Sequence, residues 1–290
     1  MADSTLTTFV ASDGDNLAIQ DWPLDAHVPL RGVVLLVHGL GEHAGRYDAL
    51  ARQLNAWGFA VRGYDQYGHG ESGGVRGGLP AASRLVDDLA DILHSTRRRM
   101  PRGCPLILLG HSMGGVVAAQ LVAQGVQTVD GLVLSSPALA LRLNPLQRLL
   151  LAVVPDLAPN LRLPNGVHPE RLSHDAAVVA AYRADRLVHH RISARLARYL
   201  DEAGRAVRQA APQWAVPTLL LYGGADRVVD PAGSAAFARA APSRVLSSRC
   251  FDGLYHEVFN EYEPARSEVL AELQRWLDRW FPAEAPEQGR

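Results

Sequence analysis

Residues Gly110-His111-Ser112-Met113-Gly114-Gly115 most restrict how this chain can fold. The apolar run Pro105 to Leu109 leads into them, and Val116, Val117, Ala118, Ala119, Leu121 and Val122 lead out. That pattern predicts strand, sharp turn and helix, with Ser112 at the turn. A turn that tight crowds the backbone two residues before and two residues after the serine, so residues without a Cβ, Gly110 and Gly114, are what the geometry tolerates. The hydroxyl is pushed out at the end of a sheet. The helix that follows points its unbonded N–H groups and positive dipole end at whatever Ser112 attacks.

The rest of the chain supplies the sheet. Thr5 to Val10 and Asn16 to Trp22 alternate on either side of the turn cluster Ser12-Asp13-Gly14-Asp15 and predict an antiparallel hairpin. Gly32 to Val37 is apolar without alternation, as in a strand covered on both faces. Tyr47, Leu50, Leu54 and Trp57 fall at helical spacing before Gly58, and Phe59 to Arg62 is the next short strand. Gly63 to Gly78 reads as a long glycine-rich loop, too polar for the core. A helix over about residues 82–96, the Ser112 unit, a strand at Gly131 to Leu134, and a strand–helix–strand–helix series from Val216 to Trp280 complete the alternation. Between them, from Ala138 to Trp214, the chain reads as helices and loops broken by prolines, with no strand. The expected architecture is a mostly parallel α/β sheet flanked by helices, with a core over 1–137 and 215–290 and a helical lid over 138–214.

With 290 residues, 48% of them hydrophobic, the chain can bury a sizeable core. A net charge of −1 provides no basic field for nucleic acid. All 29 basic residues are arginine, which excludes Schiff-base chemistry, pyridoxal-phosphate attachment and a Walker A lysine. Cys104 and Cys250 read as small buried hydrophobes in a reducing compartment. Neither a signal-peptide pattern nor a run of 18 uninterrupted apolar residues is present, so a cytoplasmic protein is the expectation.

A serine hydroxyl is a poor nucleophile near neutral pH and needs a base held by an acid. Among 11 histidines, His256 in Leu254-Tyr255-His256-Glu257 directly follows the last strand, on a loop returning to the sheet's carboxyl edge. His38, His69 and His111 lie in glycine-rich turns and read as loop-shaping residues, while His168, His174, His189 and His190 are expected on the surface. For the acid, Asp226 lies four residues past a buried strand. Asp230 competes but precedes Pro231 and a helix, where capping explains it; Asp65 and Asp252 are weaker alternatives. The chain order Ser112, Asp226, His256 is that of an α/β-hydrolase. Oxyanion donors are expected from the N–H of Met113, the residue after the nucleophile, and from Leu40 in His38-Gly39-Leu40-Gly41.

At this point the chain resembles a known family. His38 to Tyr47, Gly68-His69-Gly70-Glu71-Ser72, Gly110 to Gly115, Gly223-Gly224-Ala225-Asp226 and Tyr255-His256-Glu257 are together similar to the monoacylglycerol lipase and lysophospholipase branch of the α/β-hydrolases. The resemblance runs from about residue 5 to 280. It implies a lid between the sixth and seventh strands and hydrolysis, without metal or organic cofactor, of esters that join one long acyl chain to a small polar head. Generic short-chain esterase and aminopeptidase-type amidase are alternatives on the same scaffold, and a catalytically inactive ligand-binding module is the non-enzyme alternative.

Within the lid, Leu146, Leu149, Leu150 and Val153 form one helical stripe, while Leu143, Leu151 and Val154 point elsewhere. Such a helix can be wedged inside the protein, or roof an acyl pocket with one face and touch membrane or micelle with another. Glu42 and Arg46 are placed either against a polar head group or in a salt bridge at a helix start.

Overall fold

The computed structural model describes residues 3–283, so residues 1–2 and 284–290 of the expected core lie outside the described residues. In chain order the elements begin with β1 (Thr5–Val10), β2 (Asn16–Trp22), β3 (Gly32–Val37), α1 (Asp48–Ala56), β4 (Phe59–Tyr64), α2 (Arg84–Arg99), β5 (Leu106–His111), α3 (Met113–Gln124) and β6 (Gly131–Ser135). The insertion follows, with α4 (Pro145–Leu157), β7 (Arg162–Pro164), α5 (Ala176–Ala184), β8 (Arg191–Ser193) and α6 (Ala194–Ala210). The chain then returns through β9 (Thr218–Gly223), α7 (Pro231–Ala240), β10 (Leu246–Phe251) and α8 (Ala265–Trp280).

Eight strands make one sheet in the order β1-β2-β4-β3-β5-β6-β9-β10. β1, β2 and β4 pair antiparallel; from β4 through β10 every pairing is parallel. Strand periodicity divides the apolar residues between two layers. Val33, Leu35, Val37, Leu106 and Leu108 face a core shared with α2, α3 and α6, whereas Val34, Leu36, Ile107 and Leu109 face a core shared with α1 and α8. A strand with both faces buried shows no alternation, which explains the unbroken GVVLLV and LILLG runs. This is the α/β-hydrolase fold, with a helical insertion between β6 and β9.

Three features differ from the expectation. The Gly63 to Gly78 segment is not a solvated loop: Tyr64, Asp65, Gln66, His69 and Ser72 are buried. Part of its polar surface is bonded internally, since the Asp65 carboxylate accepts from the N–H groups of Ala44 and Glu71, each at 2.8 Å, whereas the Tyr64 hydroxyl, Gln66 Oε1 and His69 Nε2 are buried without a partner among the described residues. The insertion does contain strands, since β7 and β8 pair antiparallel, but each has three residues and β7 is fully exposed, so no apolar pattern marks it. Cys250 is exposed on the edge strand β10, and Cys104 is only half-buried.

α6 closes the insertion and also belongs to the sheet layer. Leu196, Tyr199, Leu200, Ala203 and Val207 of this helix are buried in the same cluster as α3.

Candidate active site

Ser112 sits between the end of β5 and the start of α3 at φ 52° and ψ −116°, a conformation costly for a residue with a side chain. Its N–H donates to the Ser135 carbonyl at 3.0 Å and its own carbonyl accepts from Val116, so bonds from both sides hold the turn. A Cβ on Gly114 would collide with the carbonyl oxygens of Val37 and His38 at the end of β3, and one on Gly110 would strike the Gly114 carbonyl. The glycines are therefore needed for close approach between backbones, not for flexibility.

Asp226 follows β9 and His256 follows β10, as two adjacent parallel strands deliver them. His256 Nδ1 lies 2.7 Å from Asp226 Oδ2, with both side chains buried. The other carboxylate oxygen, Oδ1, accepts from the N–H groups of Val228 (2.7 Å) and Val229 (3.1 Å). Burial alone would raise the Asp226 pKa, but the imidazolium charge, the His256 hydrogen bond and these two N–H groups outweigh it and hold it below 3.8. Burial pulls His256 down, and the charge and hydrogen bond of Asp226, helped by Glu257 and Glu42, lift it above 6.5. The His256–Asp226 contact leaves Nε2 for a proton from elsewhere.

Leu40 and Met113 line the same cavity as Ser112 and His256. Met113 is the first residue of α3, where an N–H has no intrahelical acceptor. Among the described residues neither the Met113 N–H nor the Leu40 N–H has an acceptor. The neighbouring Gly39 N–H is already engaged, donating to Glu42 Oε1 at 2.6 Å.

Glu42 lines the cavity, and its carboxylate is bonded within the protein. Besides Gly39 it accepts from the Tyr47 hydroxyl at 2.7 Å and pairs with Arg46, so the helix-start salt bridge is the arrangement found. Arg46 also forms a two-pronged pair with Glu257 at 2.8 and 2.9 Å. Its guanidinium lies 4.8 Å from the Tyr182 ring centroid in α5. Although burial opposes ionisation of Glu42, Arg46, two histidines and the Tyr47 hydroxyl hold its pKa far below the usual carboxylate value. Nothing local in the sequence marks Glu257 as Arg46's partner, because the two are 211 residues apart; its adjacency to His256 is the only signal.

Of the lid residues expected against substrate, only Leu150 lines the cavity, beside Leu143, Gln147, Leu151 and Val154. Leu146, Leu149 and Val153 lie on the outer side of α4 and are 64%, 62% and 45% exposed, which corrects their expected role. α4 is apolar on two faces, and the face presented inward could not be chosen from its periodicity alone. Among the histidines, His111 is buried with its ring centroid 4.7 Å from that of His256; burial and the neighbouring imidazolium push its pKa to about 4, so it stays neutral. His38 accepts the Gln66 N–H at 2.9 Å and ties two loops together. His168 is exposed, as expected, and also lines the cavity, whereas His189 is half-buried and packs on His69 with ring centroids 4.7 Å apart. Of the other acids, Asp230 caps α7 through the Ala232 N–H, and Asp65 holds the buried loop.

Residues 28–263 match the family described as "Serine aminopeptidase, S33". The chain belongs to this family. It is 35% identical over 273 residues to a monoacylglycerol lipase of Mycolicibacterium smegmatis, covering 93% of this chain and 95% of that protein. It is 31% identical over 279 residues to the human monoglyceride lipase, with 94% and 90% covered. Among solved structures, the monoacylglycerol lipase of Paleococcus ferrophilus superimposes with a TM-score of 0.80 at 33% identity, covering 91% of this chain and 99% of that one. A soluble variant of the Saccharomyces cerevisiae monoglyceride lipase in complex with a substrate analog gives 0.88 at 23% identity, covering 98% and 97%, and shares the fold. This member of the S33 family is thus a serine ester hydrolase of the α/β-hydrolase superfamily, related to monoacylglycerol lipases.

Replacing Arg46 with alanine should leave two carboxylates buried without their cation. The expected loss is about 3–5 kcal/mol of unfolding free energy, measured by urea denaturation at neutral pH; an unchanged midpoint would refute the role given to Arg46.

Proposed function

We propose that the chain hydrolyses esters of one long acyl chain and a small polar alcohol through an acyl-enzyme formed on Ser112. In this reading Ser112 Oγ adds to the ester carbonyl and its proton passes to His256 Nε2, while Asp226 fixes the tautomer and stabilises the imidazolium. The N–H groups of Leu40 and Met113 take the oxyanion, each worth on the order of 3 kcal/mol at the transition state. The alcohol leaves with the proton from His256, and water then cleaves the acyl-enzyme by the same route. The division into a hydrolase core and a lid over 138–214, with α6 serving both, is part of the proposal.

The observation that carries the substrate class is the cavity above Ser112. It encloses about 670 Å³ and is walled on the lid side by Leu143, Leu150, Leu151 and Val154. That wall fits an acyl chain. An aminopeptidase would need an available carboxylate for the substrate's ammonium group, yet Glu42 and Glu257 are both already paired with Arg46. The outer face of α4, with Leu146, Leu149, Val153 and Leu157 exposed, supports contact with a lipid or micelle surface. No described helix is long and apolar enough to cross a membrane.

Ser112→Ala should lower kcat about a million-fold on 1-monoacylglycerols with the fold retained, and Asp226→Asn should cost far more than Asp230→Asn; substantial residual turnover in the serine variant would remove it as nucleophile. A panel of monoacylglycerols from short to long chains, with p-nitrophenyl esters and aminoacyl amides alongside, should favour long acyl chains, and a preference for aminoacyl amides would reverse the reading. Because the active form needs neutral His256 and its pKa is raised, kcat/KM should rise with pH through a value above 6.5, losing activity on the acid side. An acid limb below 6.5 would mean that Asp226 does not stabilise the imidazolium. Serine at positions 146 and 149 should reduce cosedimentation with liposomes and the rate gain on micellar over monomeric substrate; wild-type protein that neither binds liposomes nor gains rate would sink the interfacial role.

A further inference from the structure

Four arginines line the cavity, and they fall into two kinds. Arg46 is bound by Glu42 and Glu257, and Arg142 donates to the carbonyls of Val229 (3.1 Å) and Asp226 (2.8 Å). Arg171 and Arg227 are exposed while still lining the cavity, which places them at its mouth. Among the described residues no carboxylate pairs with either one, and neither guanidinium has a hydrogen-bond partner. Glu170, the acid next to Arg171 in sequence, is taken by Arg183. The lining therefore carries four cations against two carboxylates in a chain whose overall charge is −1. A local excess of this sign selects anions.

Their placement relative to the chemistry narrows what that anion is. Arg171 ends the turn Pro169–Arg171, and the next carbonyl, that of Leu172, accepts the Glu257 N–H at 2.8 Å. Arg227 follows Asp226, with its guanidinium 5.7 Å from the Tyr255 ring centroid. Both arginines thus belong to segments in contact with the His256 loop. In acyl transfer His256 gives its proton to the leaving alkoxide, so the alcohol portion of an ester must lie against this loop. The acyl portion has the opposite, apolar wall under α4.

We propose that Arg171 and Arg227 form a head-group subsite that binds phosphate on the alcohol portion of a single-chain acyl ester, making an acyl glycerophosphate a better substrate than the neutral acylglycerol of equal chain length. Arginine suits this because its planar fork can present two donors to phosphate oxygens. Arg227 on Tyr255 is held by its ring contact without losing its donors. This rests on the reading of Ser112 as nucleophile, and the test separates the two.

Ser112→Ala protein is titrated calorimetrically with 1-acyl lysophosphatidic acid and with 1-monoacylglycerol of the same chain length, below their aggregation concentrations. The phosphate lipid should bind more tightly, and Arg171→Ala with Arg227→Ala in that background should reduce the affinity ratio at least about tenfold. Arg171→Lys with Arg227→Lys should restore part of the ratio, and Arg205→Ala, a charge removed from the outer surface, should leave it unchanged. Equal or tighter binding of the neutral lipid, or a ratio unaffected by the double alanine variant, would overturn the subsite. Inorganic phosphate that competes as strongly as the lipid would assign a free-anion site and equally overturn it. Labelling of wild-type Ser112 by a fluorophosphonate reports on the nucleophile alone, so failure there with the binding ratio intact would strike the proposed chemistry and not the head-group site.

Discussion

Backbone meets backbone where α3 begins. The first turn of α3 lies so close to the last carbonyls of β3 that no side chain fits at Gly114, and the same turn leaves no room at Gly110 on β5. β3 and β5 are neighbours in the sheet, in register from Val33 opposite Leu106 to Val37 opposite Gly110. Sheet pairing thereby fixes the distance between the residues after β3, which carry Leu40, and the residue after β5, which is Ser112. Gly115 makes a similar approach to Pro137 beyond β6. The geometry of the candidate site follows from how tightly the helix is packed against the strand ends, and the burial of α3 through Val116, Val117, Ala118 and Leu121 keeps it there.

Two buried, hydrogen-bonded units of charge underlie this site. Asp226 and His256 form one unit, and Glu42, Arg46 and Glu257 form another. Buried ion pairs are a poor source of stability, since desolvation offsets most of the attraction. Their value here is positional. Glu42 holds the Gly39 N–H and so turns the loop carrying Leu40, while Glu257 is adjacent to His256. One guanidinium spans both, which ties the loop that carries the candidate oxyanion donor to the loop that carries the candidate base.

How much of this could be read from the sequence depended on the range of the interaction. Ser112, Asp226 and Leu40 each follow an apolar strand within a few residues and His256 follows the edge strand β10, so local pattern and sheet topology sufficed to bring them to one edge. Arg46 and Glu257 meet across the fold, and no local pattern links them. The Gly63 to Gly78 segment looked solvated because polarity is a good proxy for exposure only when the polar groups lack partners; Asp65, Ser72 and His38 satisfy one another's neighbourhoods and allow burial. In α4 the limit was different. A helix apolar on two faces has an inside that is decided by its neighbours, and of Leu146, Leu149, Leu150 and Val153 only Leu150, itself half-exposed, reaches the cavity lining.

The lid is bonded to both halves of the site. The His189 N–H donates to the Gly41 carbonyl at 2.9 Å, the Glu257 N–H donates to the Leu172 carbonyl at 2.8 Å, and Tyr182 lies on Arg46. Gly41, at φ 80°, has no room for a Cβ against the His189 carbonyl, so this contact is as close as that at the start of α3. A displacement of the 165–193 segment would therefore be felt at the loop before Glu42 and at the loop of His256 together. The position of the lid and the placement of the candidate site groups are consequently coupled in this fold. The same backbone contacts that shape the cavity mouth also hold the groups beneath it in register.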